Sequence, residues 1–423
     1  MVDRERPEST RASGASVASE GSSSAQAFVM ELGRALLLMS TPAHRLEESL
    51  ARVSERLNLA GEFSSTPTTL VASFTGGDRP ITHPITHLVR CDPGDVNLKK
   101  LVQLDGLCER VVGGSLSPLE GAAEVRRILA APRHYGTLTT TVFHGLSSCA
   151  VAGLFTTDLW HVGAAGAIGL AAGALSAVAR ASTRFGRVSE FATAFLAALM
   201  AHGAASLEPL SLDVVTLCGL IALVPGLTIT AAMTELTTQN LVSGTARLMG
   251  AVGTLLKLGF GVAVGGLLGV KLFGSPAPFD PAQPTFYVQS AATLASAVSF
   301  TVIYQARRRD VVWILAASAL AVAGSRLGIE ILGSVLGHCL GAFLAVLGSN
   351  LYSRWLHRPA RVPLTPSIIL LVPGSIGLRS VKLLLESDAV SAVNTAFSVA
   401  LAAISLAAGF LFANLLVPPR RLL

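Results

Sequence analysis

The sequence predicts an α-helical polytopic membrane protein. Ten transmembrane helices are expected as two inverted five-span repeats, preceded by a small α+β N-terminal cytoplasmic domain. Three observations lead to this fold class: an apolar composition, an internal repeat, and arginines concentrated in alternate loops. Of the 423 residues, 51% are hydrophobic and 14% are charged, and the mean hydropathy is +0.59. Soluble domains contain roughly 25% charged residues, so the composition favours a membrane protein.

The internal repeat has an offset of 148 residues. Leu-Val-Pro-Gly at 223–226 returns at 371–374, and the Val-Ser pair at 242 and 243 returns at 390 and 391. Ala-Phe-Leu-Ala at 194–197 returns at 342–345. Because one offset holds at three separate places, the sequence indicates a two-fold repeat.

The chain begins with a polar tail and a small head. Residues 1–24 are rich in Ser, Gly, Ala and Glu without an apolar core, which predicts a disordered tail and excludes a cleaved signal peptide. The head spans residues 25–136, and helical spacing of apolar residues predicts a helix over 26–39. Ser40-Thr41-Pro42 offers a cap and a first-turn proline for a second helix, with Leu46, Leu50, Val53 and Leu57 on one face.

The remainder of the head predicts two strands and two more helices. Alternating runs rich in Thr and Val at 63–74, and again at 85–90, predict a pair of strands. Asp95 is placed to cap a helix that continues to about Val112, and Ser117 precedes a proline that can begin another helix.

The chemistry of the head favours a regulatory, gating or oligomerising role. No nucleophile elbow, Walker loop or dinucleotide glycine pattern occurs in it. His83 and His87 flank a proline, which is poor geometry for a metal pair on a helix. The sequence therefore predicts no enzyme, no metal site and no cofactor.

Residues 137–417 consist of one apolar segment after another, divided into repeats at 137–272 and 285–417. A membrane span needs roughly 20 apolar residues, or fewer where it is broken. Ten segments are candidates: 138–156, 160–179, 188–207, 212–236, 245–271, 285–305, 311–325, 328–352, 364–385 and 391–417.

Positive charge is concentrated in every second loop. These loops contain Arg180, Arg184 and Arg187, then Arg307, Arg308 and Arg309, then Arg354, Arg358 and Arg361, and finally Arg420 and Arg421. The positive-inside rule places them, and both chain termini, in the cytoplasm. The net charge of +6 is therefore no sign of nucleic-acid binding. Since each repeat has an odd number of spans, the second must be inverted, as in many secondary transporters.

Each repeat has a Pro-Gly pair about midway through a span. Pro225-Gly226 and Pro373-Gly374 are expected to break their helices, which membranes tolerate only beside protein or a watery cavity. The half-helix after each break would direct unpaired N–H groups and partial positive charge at the membrane centre. Together the two half-helices would suit an anion such as a substrate carboxylate.

The polar residues after the two breaks differ in chemistry. The first copy offers hydroxyls and an acid, and the second offers bases, so a zwitterion could be held with its ammonium, or a proton, on Glu235 and its carboxylate on Arg379. The alternative is that these groups lie at the membrane surface and cap helix ends. The predicted substrate-binding residues are Pro225, Gly226, Thr228, Thr230, Glu235, Asn240, Pro373, Gly374, Ser375 and Arg379.

Four ionisable residues are candidates for coupling: Glu235, Lys257, His338 and Glu190. Lys257 lies inside the fifth predicted span, and Glu190 and His338 are equivalent in the two repeats. Ionisable groups inside spans often mark ion or substrate paths, and histidine titrates near neutral pH.

These features resemble the threonine/serine exporter family, which includes fungal pheromone-regulated membrane proteins. The resemblance covers about 26–417 and rests on Thr41-Pro-Ala-His-Arg-Leu-Glu47, Thr66-Pro-Thr68 and Asn97-Leu-Lys-Lys-Leu101 in the head. It continues with Glu235, Gly244 and Arg247 after the first break and LVPGSIGLRS at the second. Where Glu235 stands the family usually has aspartate, and where Ala231 stands it often has asparagine, which puts the substrate in question more than the fold.

The resemblance implies export of L-threonine and L-serine across the inner membrane by antiport, driven by proton motive force. Related proteins split into separate subunits imply a dicarboxylate such as succinate as the rival substrate. A membrane-anchored sensor or enzyme head is the third hypothesis, although an anchor has no need of two broken helices. The implied partners are the substrate, protons and the lipid bilayer, and homo-oligomerisation is left open.

Overall fold

The computed structural model describes residues 9–75, 84–277, 279, 281–371, 378–381, 383 and 388–418, with side chains described from residue 22 onward except at 334 and 335. The chain divides into two compact units, one ending at Pro132 and the other spanning Arg133–Arg420.

The head unit contains four helices and a three-stranded sheet. Its elements are α1 (Ser9–Leu38), α2 (Ala43–Arg56), β1 (Ala60–Ser65), β2 (Thr69–Thr75), β3 (Ile85–Arg90), α3 (Leu98–Val112) and α4 (Pro118–Ala130). The strands pair antiparallel in the order β1-β2-β3. The apolar positions that predicted the first two helices are buried: Phe28, Leu32, Leu36, Leu46, Leu50 and Val53.

Several predicted boundaries in the head differ from the structure. The single run predicted over 63–74 is two strands, because Thr66 makes a turn: its N–H donates to the Thr69 carbonyl (2.8 Å) and its hydroxyl accepts from the Thr69 N–H (3.1 Å). Asn97, not Asp95, caps α3 by accepting from the Lys100 N–H at 3.0 Å. α1 already begins at Ser9, upstream of the boundary predicted at residue 25.

The Ser117 prediction is confirmed. The Ser117 hydroxyl accepts from the Glu120 N–H (3.3 Å), and the Glu120 carboxylate accepts from the Ser117 N–H (3.1 Å). This reciprocal capping box, with Pro118 as the first helical residue, begins α4.

The second unit is helical. Its elements are α5 (Thr137–Ala152), α6 (Leu159–Ala181), α7 (Thr183–Gly186), α8 (Ser189–Ala205), α9 (Leu212–Gly219), α10 (Gly226–Thr237), α11 (Leu241–Phe273), α12 (Phe286–Ile303), a 3-10 turn (Arg308–Asp310), α13 (Val311–Leu336), α14 (His338–Leu356), α15 (Arg361–Ile369) and α16 (Ala389–Leu416). Within the described ranges, five of these are long and apolar enough to cross a membrane: α6, α11, α12, α13 with its preceding 3-10 turn, and α16. Of the other predicted spans, those at 138–156, 188–207, 212–236 and 328–352 correspond to shorter or less apolar helices, and part of the one at 364–385 lies outside the described residues.

Helices recur in the order that the repeat predicts. At an offset close to 148 residues, α5 corresponds to α12, α6 to α13, α8 to α14, α9 to α15 and α11 to α16. The last pair agrees to the residue at its start, since α11 begins at Leu241 and α16 at Ala389.

The packing of these helices repeats as well as their order. A Cβ added to Gly261 on α11 would lie 2.6 Å from the Phe191 carbonyl oxygen, 2.8 Å from Ala194 Cβ and 3.1 Å from Phe195 N on α8. Such distances leave no room for a side chain, so glycine here allows α8 and α11 to approach closely.

The equivalent glycine in the second repeat makes the same contacts. A Cβ added to Gly409 on α16 would meet the Cys339 carbonyl oxygen, Ala342 Cβ and Phe343 N on α14. Each of these residues lies 148 positions after its counterpart. The two helix pairs are therefore built on one packing motif.

Part of the core is shared between the two repeats. Leu378 and two residues of α16, Val399 and Ala403, belong to the same buried cluster as Ile229 of α10 and Leu255 of α11. The last helix thus completes the core around the broken helix of the first repeat.

The fourth predicted span is broken at the Pro-Gly pair. Helix α9 ends at Gly219 and α10 begins at Gly226, with Pro225 as its N-cap residue. In the second repeat α15 ends at Ile369, and the second Pro-Gly pair lies outside the described residues.

The turn between the seventh and eighth predicted spans is not near residues 326–330. Helix α13 continues through both Arg326 and Glu330, and the backbone leaves helical geometry at Gly333 (φ 83°, ψ 171°). Glycine adopts this positive φ without a Cβ clash. Arg326 is accommodated within the helix because it donates to Gln289 Oε1 (2.8 Å) and its guanidinium lies 5.0 Å from the Phe286 ring centre.

Candidate functional site

The first helix break opens into a small cavity. It has a volume of about 30 Å³ and is lined by Ile221, Ala222, Val224, Gly226, Leu227, Phe300, Tyr304 and Ile369. A cavity of this size holds a water or two, and an amino acid does not fit. In the described conformation this cavity therefore admits water but not an amino acid.

The cavity adjoins the N-terminus of α10. The first N–H groups of a helix have no acceptor within that helix, and the helix dipole places partial positive charge there. Phe300, Tyr304 and Ile369 bring α12 and the end of α15 to the same cavity. The break is thus covered by elements of the second repeat.

The hydroxyl groups along α10 mostly bond to its own backbone. Thr230 donates to the Gly226 carbonyl (3.2 Å), Thr234 to Thr230 (2.9 Å), and Thr237 and Thr238 both donate to Thr234 (2.9 Å). These bonds satisfy hydroxyls inside an apolar region. Thr228 is half-buried and lies in the first turn of α10.

Glu235 forms a buried ion pair with Arg247 of α11. Arg247 Nε donates to Glu235 Oε2 (3.0 Å) and its Nη2 donates to Oε1 (3.1 Å), so the contact is bidentate. The side chains are 0% and 8% exposed, respectively. Removing one partner of such a pair leaves an uncompensated buried charge and costs about 3–5 kcal/mol.

A tight connection brings the two ions together. The Asn240 N–H donates to the Glu235 carbonyl at 2.8 Å, and Gln239 adopts a positive φ of 64°. A Cβ on Gly244 would lie 3.0 Å from Leu236 N, so glycine lets α11 approach the end of α10. The Asn240 side-chain amide donates to the Thr238 carbonyl (3.1 Å) and so holds the turn itself.

The break and the ion pair are two separate places. Glu235 lies nine positions after Gly226 along α10, and a helix rises by about 1.5 Å per residue, so they are about 13 Å apart. A small amino acid is too short to contact both. The separation disfavours joint contact of Gly226 and Glu235 with one small substrate in the described conformation, and their shared substrate site stays a prediction.

Two of the other predicted coupling residues form a second ion pair. Lys257 Nζ lies 2.7 Å from Glu190 Oε2, and the Thr254 hydroxyl donates to Glu190 Oε1 at 3.4 Å. This pair is partly exposed, with Lys257 at 50% and Glu190 at 29%. It joins the start of α8 to the middle of α11.

The remaining predicted residues are dispersed. His338 is the first residue of α14 and is half-buried, which matches the position of Glu190 at the start of α8. The Arg379 side chain is exposed. Pro373, Gly374 and Ser375 lie outside the described residues, so their placement stays a prediction.

Sequence reasoning did not identify Arg247 as the counter-ion of Glu235. The sequence feature that could have identified Arg247 is that charged residues inside apolar segments pair with one another. Nor did it find the contact of His161, the third residue of α6, with Asp158. His161 Nδ1 lies 2.5 Å from an Asp158 carboxylate oxygen, and its Nε2 accepts from the Ser211 N–H (2.8 Å). This imidazole ties the start of α6 to the segment before α9.

The environment of Asp158 favours its charged form. Partial burial would raise its pKa, but hydrogen bonds from the Trp160 N–H and from His161 outweigh burial, so the pKa of Asp158 lies below its ordinary value.

The three head motifs have structural roles. Glu47 Oε1 accepts from the N–H (2.6 Å) and hydroxyl (2.9 Å) of Ser65, which joins the first motif to the strand end beside Thr66. Besides the Asn97 cap, Lys100 Nζ donates to the Leu129 carbonyl at the end of α4 (2.6 Å). These contacts position elements of the head, and among the described residues no group of three metal-ligating side chains converges.

Comparison with known proteins places this geometry in context. A family model described as a threonine/serine exporter matches residues 27–268, and a second, described as Threonine/Serine exporter, ThrE, matches residues 289–416. The gap between them falls between α11 and α12, where the two repeats meet. No solved structure matches this chain.

The chain is also similar to fungal proteins described as pheromone-regulated membrane protein 10. The one from Candida albicans (strain SC5314 / ATCC MYA-2876) is 28% identical over 387 residues, which are 88% of this chain and 34% of that protein. The Kluyveromyces lactis protein is 31% identical over 59% of this chain and 26% of its own length. The Saccharomyces cerevisiae (strain YJM789) protein is 30% identical over 57% and 31%, respectively. The chain thus spans about a third of the length of these relatives.

Proposed function

The chain belongs to the threonine/serine exporter family, and on that premise we propose that it is a secondary transporter that exports L-threonine and L-serine. It would act in the inner membrane with both termini in the cytoplasm and exchange substrate for protons. The single observation that carries the proposal is the helix broken between Gly219 and Gly226, with a cavity beside its second half.

Ten spans arranged as inverted repeats are the proposed architecture. The recurrence of helices at one offset and the matching contacts of Gly261 and Gly409 support two copies of one unit. Opposite orientation of the copies follows from five spans per copy and from the arginine distribution. In such transporters the substrate site lies where broken helices of the two repeats meet.

The small volume of the cavity agrees with an alternating-access cycle. A passage that holds only water in the described conformation must widen before an amino acid can pass. The break supplies the hinge, because the helical hydrogen-bond ladder is interrupted between Gly219 and Gly226. Loading from the cytoplasm and release on the outer side would each open one side of the break.

Efflux from loaded vesicles tests the proposal. We expect proteoliposomes containing the full-length protein to release labelled L-threonine and L-serine faster than empty liposomes, and faster still under an imposed proton gradient. Release of succinate without either amino acid would instead establish the dicarboxylate alternative.

Variants at the breaks test the mechanism. Pro225→Ala and Gly374→Leu should abolish efflux while the protein still inserts into the membrane. Gly253→Leu is the matched control, because a Cβ added at Gly253 of α11 would have open space around it, with no neighbouring atom within 4 Å. Full efflux by both break variants would remove the broken helices from the mechanism.

A further inference from the structure

We propose that the Glu235–Arg247 pair, together with Ser243, is a loading site for a zwitterionic hydroxy amino acid, which enters by exchanging with the ion pair. The substrate ammonium would replace Arg247 on Glu235, and the substrate carboxylate would replace Glu235 on Arg247. The inference rests on the proposed export function. It adds the site at which the substrate binds and the two charges that the substrate must carry.

The burial of the pair restricts what can open it. Loss of Glu235 from the pair would leave Arg247 buried without the carboxylate that it binds through two hydrogen bonds. A zwitterion compensates both ions at the same moment, so the site stays neutral throughout. A dicarboxylate offers Glu235 only repulsion, and a simple cation leaves Arg247 without a partner.

An unsatisfied hydroxyl lies beside the pair. Ser243 is 2% exposed, and its Oγ has no hydrogen-bond partner among the described residues. It precedes Arg247 by four positions on α11, which places both on one helix face with their Cβ atoms about 6 Å apart. A buried hydroxyl without a partner is costly, and the side-chain hydroxyl of threonine or serine would supply one.

The second repeat shows that the fold itself does not need these charges. At the repeat offset, Leu383 corresponds to Glu235 and Thr395 corresponds to Arg247. The second copy thus fills the same positions with an apolar and a small hydroxyl side chain. Since apolar residues can replace a buried ion pair without loss of stability, retention of the pair in one copy points to a ligand.

The location of the pair agrees with loading. It lies at the end of α10 that the proposed topology directs toward the cytoplasm, about 13 Å from the break. An exported substrate would meet the ion pair first and the helix break second. The substrate would then bind first at the ion pair and second at the helix break.

Ligand-induced thermal stabilisation of the purified full-length protein tests the site. We expect L-threonine to raise the unfolding temperature, because a ligand that binds only the folded state stabilises it. At the same concentrations L-threoninol, which lacks the carboxylate, 3-hydroxybutyrate, which lacks the ammonium, and succinate should produce at least a tenfold weaker response. Equal responses to the one-charge analogues and to L-threonine would overturn the exchange of the ion pair.

The decisive variant copies the second repeat. Glu235→Leu combined with Arg247→Thr should yield a folded protein that no longer responds to L-threonine. If this double variant does not fold, Arg247→Lys takes its place: it keeps the charge but loses the bidentate contact, and the half-maximal L-threonine concentration should rise about tenfold. A wild-type response in the variant used would overturn the proposal.

The hydroxyl part of the site has its own test. Ser243→Ala should reduce the preference for L-serine over L-alanine about tenfold, the worth of one hydrogen bond. Ser349→Ala is the matched control, since that buried hydroxyl donates to the Ala345 carbonyl (2.7 Å) in α14. An unchanged preference in Ser243→Ala would remove Ser243 from the site.

The outcomes separate this site from the proposed function. L-threonine binding without efflux by the wild type would refute export and leave the site standing. Efflux that persists in Glu235→Leu/Arg247→Thr would refute the site and leave export standing. A wild type that neither binds nor exports L-threonine would refute both.

Discussion

The two repeats share their packing but not their charges. Gly261 and Gly409 receive the same three contacts from α8 and α14, respectively. At the same offset, Lys257 becomes Ser405 and Glu190 becomes His338, and the buried pair described above is replaced by leucine and threonine. Small residues for helix packing are therefore kept in both copies, whereas these two ion pairs occur in the first. Among the described residues the second copy has an ion pair of its own, Arg358 with the buried Asp310, whose counterparts in the first copy are Leu210 and Val162.

One position shows how the same link is made by different chemistry. In the first repeat Lys257 of α11 reaches the Glu190 carboxylate at the start of α8 (2.7 Å). In the second repeat Ser405 of α16 donates to the Leu336 carbonyl just before α14 (3.0 Å). Both bonds tie the last helix of a repeat to the beginning of its third long helix, so the contact is architectural even where the charge is lost.

The largest expected difference between the copies concerns the buried pair. Arg247→Met should destabilise the protein by about 3–5 kcal/mol, because buried Glu235 loses its bidentate guanidinium partner. Thr395→Met, its counterpart, should cost less than about 1.5 kcal/mol, since Thr395 is half-buried and its hydroxyl donates to the Ser391 carbonyl. Heating followed by size-exclusion chromatography measures the stability of both variants. Equal losses of stability would contradict the conclusion that this buried ion pair belongs to the first copy alone.

The next effect should be the same in both copies. Gly261→Leu and Gly409→Leu should each destabilise the protein by about 1–3 kcal/mol, because the new side chain meets backbone atoms that have no room to shift. Gly253→Leu serves as the control in the same assay. If only one of the two glycines is sensitive, the shared packing motif does not support both copies equally.

A smaller effect is expected at the linking position. Lys257→Met should change stability by less than about 1 kcal/mol, because a partly exposed ion pair contributes little. Ser405→Ala should cost about 1 kcal/mol through one lost hydrogen bond. Comparable small losses would support an architectural link, and a loss above about 3 kcal/mol for Lys257→Met would indicate that the pair is buried in the membrane-embedded protein.

The smallest effect concerns acid sensitivity of the first repeat. The pKa of Asp158 is lower in the folded protein than its ordinary value of 3.8, so its stabilising contribution is present above that value and is lost as the pH falls through the folded pKa. The counterpart of Asp158 is Ala306. Asp158→Asn should therefore flatten the loss of stability on acidification, measured by thermal unfolding from pH 5 to pH 3, and an unchanged profile would exclude Asp158 as its source.

Patterns of composition and repetition predicted most of the fold. The helix break at Pro225-Gly226 follows from a lost backbone donor and was predictable from two residues. The turn at Gly333 was not, because the preceding stretch is equally apolar and Arg326 looks like a loop residue until Gln289 and Phe286 are seen to accommodate it.

The site was less predictable than the fold. Glu235 was identified because an acid in an apolar segment is costly. Its partner Arg247 is twelve residues away across a turn, and that pairing depends on the close approach at Gly244, which no helical spacing encodes. The distance of about 13 Å between break and ion pair also required knowing that α10 continues unbroken from Gly226 to Thr237.

The core shared between the repeats has a consequence for biosynthesis. Val399 and Ala403 complete the cluster around α10 and α11, yet they are translated after α11 has ended at Phe273. At about 5–20 residues per second, the ribosome needs on the order of ten seconds to reach them. During that interval the cluster around α10 and α11 lacks the residues that α16 contributes, so the core of the first repeat can be completed only after the last helix is made.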